Sequence, residues 1–117
     1  MKTNKELKED YKQMKFTAGV FQIRNTVNNK IFIDSGINVN ARWNRHKLQL
    51  DFGSHPSADL QKDWKTLGGD KFVMEILGEI KQSDSDESPD YAKDAEQLKQ
   101  LYLEELQPFG EKGYNKK

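Results

Sequence analysis

A chain of 117 residues supplies one domain with a modest core, and because 34% of it is hydrophobic and 32% charged, that core has to be small and well patterned. No apolar run is long enough to span a bilayer, the start MKTNKELKEDYKQMK is too polar for a secretory signal, and the lack of cysteine excludes disulfides and thiolate metal sites; a cytoplasmic protein is expected. The zero net charge hides an asymmetry: residues 1 to 50 hold 10 Lys+Arg against 4 Asp+Glu, and residues 51 to 117 hold 9 against 15. A basic half of this kind suits a phosphate partner with the acidic half turned away, although uneven scatter in a soluble protein gives the same count.

Leu7, Tyr11 and Met14 recur at helical spacing, so residues 1 to 15 are expected as an N-terminal helical extension to a domain of residues 16 to 117. The lysines at 2, 5, 8, 12 and 15 fall on that helix, interleaved with Glu6, Glu9 and Asp10. Phe16 to Ile23 alternates as a strand, Val27-Asn28-Asn29-Lys30 predicts a turn because Asn tolerates positive φ, and Ile31 to Ile33 continues as a second strand. Together they predict a β-hairpin.

Asn38 is the expected N-cap of a helix running to about Leu50, with Gly53 as its stop. His55-Pro56-Ser57 sets up another helix over 57 to 67, where Leu60 and Trp64 lie one turn apart, and Gly68-Gly69 ends it. Phe72 to Ile80 reads as a third strand. Residues 81 to 90, KQSDSDESPD, are polar and acidic and expected to be mobile, and Ser88-Pro89 then predicts the start of a last helix over 90 to 106 with Leu98, Leu101, Tyr102 and Leu106 as its apolar stripe. There is no internal repeat. The order predicts a small α+β domain with a three-stranded sheet flanked by helices.

GVF at 19 to 21, KIFIDSG at 30 to 36 and NVNARWNRH at 38 to 46, followed by LQKDWKTLGGDKF, EIL and LQPFGEKGYN, carry a more specific signal. In order and spacing they resemble the GIY-YIG endonuclease family over roughly residues 16 to 115. The resemblance implies the family's fold and, in active members, hydrolysis of a DNA phosphodiester. In such members a tyrosine or a neighbouring histidine helps activate water, an arginine stabilises the phosphate, and a glutamate on the last helix binds a divalent ion such as Mg²⁺ or Mn²⁺. Arg42 and His46 match the family's arginine and histidine and, four residues apart on a helix, share a face.

Four positions depart from the pattern. Phe21 and Phe32 stand where the family keeps its tyrosines and offer neither donor nor acceptor. Asp34 replaces a glycine and brings a negative charge that repels phosphate; its plain reading is a turn residue. Lys99 occupies the position of the metal-binding glutamate, and an ammonium cannot ligate a cation. Glu96, one turn earlier, is a weak substitute.

The expected nucleic-acid contacts are Arg42, Arg45, His46, Lys47 and Asn115. Trp43 and Trp64 are expected in the core, and His55 reads as a lone loop histidine without a role. Three functional readings follow. The first is a catalytically impaired nucleic-acid-binding module without a cofactor. The second is an active, divergent DNA endonuclease using Mg²⁺ or Mn²⁺, with His46 as proton acceptor. The third is a protein-interaction domain using the acidic segment 81 to 90. A monomer away from membranes suits all three.

Overall fold

The computed structural model describes residues 17 to 80 and 91 to 116; the expected N-terminal helix, the acidic segment 81 to 90 and the Ser88-Pro89 helix start lie outside the described residues. β1 (Gly19–Asn25) and β2 (Ile31–Gly36) form the expected hairpin. Its turn is stabilised by asparagines: Asn25 Oδ1 accepts from the Val27 amide at 2.9 Å, Asn28 Oδ1 accepts from the Lys30 amide at 2.9 Å, and Asn29 takes a φ of 64°. β3 (Phe72–Glu79) pairs with the other side of β1, so the antiparallel sheet runs in the order β2-β1-β3 and β2 is an edge.

Three helices complete the described domain: α1 (Val39–Phe52), α2 (Ala58–Leu67) and α3 (Tyr91–Leu106). The first two show their capping chemistry directly. Asn38 accepts from the Ala41 amide, Ser57 from the Leu60 amide, and Gly53 closes α1 at a φ of 76° that a residue with a Cβ resists.

The register divides the sheet's side chains. Phe21 lies opposite Asp34, and Ile23 opposite both Phe32 and Met74, so these five residues share one face. α1 packs there, joining Phe21, Ile23, Val39, Leu50, Leu60, Trp64, Phe72 and Tyr114 in one buried cluster, with Trp43 packed partly buried against it. α3 covers the opposite face, where Tyr102 donates to the Leu77 carbonyl at 2.8 Å and Glu96 reaches Ser35 of β2.

The strand boundaries differ from expectation in a physically informative way. β1 begins at Gly19 rather than Phe16, because Thr17 and Ala18 give their carbonyls to the amides of Val39 and Ile80. β2 extends through Asp34 and Ser35, which look like turn residues but pair in register with Phe21 and Val20. Asp34 is therefore a strand residue, and its side chain faces α1.

The C-terminal tail seals half of the β2 edge. Gly113 bridges to Ile31 in parallel, and Asn115 accepts from the Ile33 amide at 2.8 Å while donating to the Ile33 carbonyl at 3.0 Å. Tyr114 anchors this tail from below. Its hydroxyl donates to Asp63 at 2.6 Å and accepts from the buried Asn25 amide at 3.0 Å. Burial first, and the Asp63 carboxylate next, push the phenol up to about 12.

Tyr114→Phe is expected to lower stability by about 1–3 kcal/mol, because Asn25 and Asp63 both lose a partner. A urea unfolding midpoint that falls without a change in slope checks this. In the parent chain stability should also fall as pH rises from about 10 toward 12, where the folded phenol still holds a proton that the unfolded one releases.

Candidate functional site

The uncovered part of the β2 edge, Asp34 to Gly36, lies where α1 and α3 overhang the sheet. A cleft of about 600 Å³ opens there, lined among others by Ile37, Ala41, Arg42, Arg45, Ala92 and Glu96. Arg42 reaches it by lying across the strand end. A Cβ at Gly36 would come within 2.8 Å of Arg42 Cγ, so this glycine makes room for the arginine. Arg42 Nε donates to the Ser35 carbonyl at 3.2 Å and stands 3.4 Å from Asp34 Oδ2.

His46, one turn along α1, has both ring nitrogens engaged. Nε2 lies 2.7 Å from Asp34 Oδ2, and Nδ1 lies 2.8 Å from His55 Nε2. His55 in turn accepts from the Ser57 amide through Nδ1 at 3.0 Å. That last bond gives the chain a direction. A backbone N–H can only donate, so the His55 proton sits on Nε2 and is given to His46 Nδ1; the His46 proton then sits on Nε2 and is given to Asp34. The result is a four-member relay, from the Ser57 amide through two imidazoles to a carboxylate.

The two phenylalanines wall this relay. Phe32 meets the rings of His46 and His55 edge-on at 5.4 and 5.5 Å between centroids, and Phe21, fully buried, tilts against His46 at 6.1 Å. Both positions thus face the histidine without supplying a hydroxyl. Burial alone would raise the Asp34 carboxyl, but the His46 hydrogen bond, the Ser35 amide and the Arg42 charge outweigh it and hold the group below its usual range. Burial, and then the charge a protonated His46 would bring, lower His55 to about 4. A second proton on His55 would have to sit on Nδ1, facing the Ser57 N–H.

Lys99 lies on α3 with its ammonium 3.1 Å from Glu96 Oε2, and that same oxygen is 3.4 Å from the Ser35 hydroxyl. The other Glu96 oxygen accepts from Gln100 at 3.1 Å. The divalent ion of active family members does not fit this donor set. The Glu96 carboxylate is already paired with the Lys99 ammonium, and among the described residues no group of three His, Cys, Asp or Glu is placed to hold a metal ion.

Of the residues singled out in the sequence, Arg42 and Arg45 line the cleft and His46 sits behind them against Asp34. Lys47 turns elsewhere, its ammonium 5.2 Å from the centre of the Trp43 ring. Asn115 has both ends of its amide on Ile33 of β2. His55 corrects an expectation: it is buried and bonded to His46, not an idle loop residue. The pair is invisible in sequence because the turn between α1 and α2 closes a gap of nine residues; the readable hint was the Ser57 cap two positions beyond His55.

No family model matches the chain. Over 63 residues, 54% of its length, it is 40% identical to intron-associated endonuclease 1 of Enterobacteria phage T4. The match covers 25% of that protein, so the chain spans about a quarter of the length of the curated relative it matches. The fold is similar to the catalytic domain of the intron endonuclease I-TevI, solved as a glutamate-to-alanine variant, with a TM-score of 0.69 and 30% identity over 86% of this chain and 93% of that one. A second structure of that catalytic domain matches with a TM-score of 0.67 and 30% identity, over 84% and 96% of the two chains.

The lowered His55 predicts a specific pH dependence. Between about 6.5 and 4 the unfolded chain binds a proton that the folded chain refuses, so this contribution is fully present above about 6.5 and is lost progressively as pH falls to about 4. The melting temperature should drop across that window in the parent and drop less in His55→Gln; parallel profiles would contradict the relay.

Proposed function

The chain belongs to the GIY-YIG endonuclease family, and on that footing we propose that this domain has lost phosphodiester hydrolysis and acts as a nucleic-acid-binding module. The observation that carries the proposal is the Lys99–Glu96 pair, on the helix and at the position to which the resemblance assigns the metal-binding glutamate. Phosphodiester cleavage needs a proton acceptor for water and a positive centre for the developing charge. Phe21 and Phe32 have no acceptor to give. Both nitrogens of His46 are spent inside the protein, so it can take no proton from water without breaking the relay.

The magnitudes support this reading. Losing general-base assistance costs about 10²–10⁴-fold. Losing a metal's Lewis acidity removes several kcal/mol more of transition-state stabilisation. Groups acting as a unit do not add, yet either loss alone leaves slow chemistry.

Binding asks for less. Arg42 and Arg45 are exposed at the mouth of the cleft, and the basic residues of the first half place positive charge on the same side of the chain's sequence. Cations in that position neutralise phosphates without regard to base sequence, and their affinity falls with salt.

The test is a titration of labelled single- and double-stranded DNA at low and moderate salt, with parallel incubations in Mg²⁺, Mn²⁺ or chelator run on a gel. Binding should weaken with salt, persist in chelator and yield no cleavage product. Arg42→Ala should weaken it about three- to tenfold, as expected for one phosphate contact. Cleavage with either ion would overturn the loss of catalysis; absence of binding at low salt would overturn the module and direct attention to a protein partner.

A further inference from the structure

Asp34 is a charged strand residue that also caps the edge amide of Ser35. It sits in the middle of β2 on the face that otherwise carries Phe21, Ile23 and Phe32, and only about 13% of its side chain is exposed. Its carboxylate is nevertheless well coordinated. Oδ2 receives His46 Nε2–H at 2.7 Å and stands 3.4 Å from Arg42 Nε, while Oδ1 receives the Ser35 amide at 2.8 Å. A guanidinium, an imidazole N–H and a backbone amide converging on one small anion form the donor set that holds an oxyanion such as phosphate.

We infer that the Asp34 carboxylate occupies an oxyanion seat built by Arg42, His46 and the Ser35 amide, so that the chain carries its own competitor for a phosphate group at this position. The inference deepens the reading of the cleft as a nucleic-acid site and rests on it for the identity of the natural ligand.

Two features of the geometry support this role over a purely structural one. The seat lies at the uncovered end of the β2 edge, where Arg42 passes from Asp34 into the cleft, so an incoming phosphate would meet the same guanidinium. The competitor is also tethered within the strand. It is present in place at every moment, and an external anion has to displace it before gaining the same bonds. With Asp34 ionised and Arg42 cationic, the seat has little net attraction left for a second anion.

The residue that the family keeps at this position, glycine, supplies the decisive variant. In Asp34→Gly the donors of His46 and Ser35 lose their internal partner, and Arg42 loses the neighbouring charge while keeping the Ser35 carbonyl. Asp34→Ser does the same while retaining a side chain suited to a strand, which provides a second folded background. The probe is inorganic phosphate, titrated into the full chain at constant ionic strength and followed by the ring signals of the only two histidines in the sequence. In either variant phosphate should shift the His46 signals at concentrations about tenfold or more below those needed in the parent, the gain expected for one charged hydrogen bond restored to the ligand. Folded variants that respond to phosphate no better than the parent would overturn the inference.

A DNA titration on the same samples separates the two claims. If the variants gain phosphate affinity but neither they nor the parent bind DNA, the seat stands and the nucleic-acid reading fails. If all bind DNA while phosphate affinity is unchanged by the substitutions, the reading stands and the seat fails.

Discussion

An edge strand leaves a row of backbone donors and acceptors that something has to pair, and β2 is such a strand. The molecule solves this in two parts. Along Ile31 to Ile33 the C-terminal tail supplies the partners: Gly113 bridges in parallel and the amide of Asn115 imitates a strand residue by both donating and accepting. Tyr114 between them is tied down by Asp63 and Asn25, so that the tail is held from the core side. From Asp34 to Gly36 the tail gives way to side chains of β2 and α1. There Asp34 caps the Ser35 amide and Arg42 takes the Ser35 carbonyl. The cleft exists because this second closure is made by side chains at the strand end rather than by another strand.

The charged and aromatic residues around this stretch are matched to one another. Asp34 introduces an anion and meets it with His46 and Arg42; Lys99 introduces a cation and meets it with Glu96. Phe21 and Phe32 set aromatic walls around the histidines. Among the described residues no buried side-chain nitrogen or oxygen lacks a hydrogen-bond partner. A catalytic centre ordinarily holds polar groups in reserve for substrate. Here the relay from Ser57 to Asp34 bonds them to one another, and a network satisfied in this way is rigid.

Much of this could be read from the chain, and the remainder failed for definable reasons. The hairpin turn, the Asn38 cap and the Gly53 stop rest on local chemistry within a few residues, and they are where expected. The GVF, KIFIDSG and NARWNRH segments carried the family, which the solved catalytic domains support. β2 was read too short because Asp34 and Ser35 have turn-like identities, and only the register with Phe21 and Val20 keeps them in the strand. The charge of Asp34 was legible but its partners were not. His55 was missed because its contact with His46 depends on how α1 and α2 cross, a quantity with no signature in the spacing of apolar residues.

The directed relay is what keeps His46 from acting on water, and the most direct measurement of it is ¹⁵N–¹H correlation spectroscopy of the two histidine rings near neutral pH. Each tautomer gives a distinct pattern of nitrogen shifts, and only two rings contribute. The relay predicts that both His46 and His55 carry their proton on Nε2, with the His55 proton protected from exchange by its bond to His46. A proton on Nδ1 of either ring, or rapid tautomer exchange at His46, would show that its nitrogens are not held by Asp34 and His55, and the case for a closed, non-catalytic centre would fall with them.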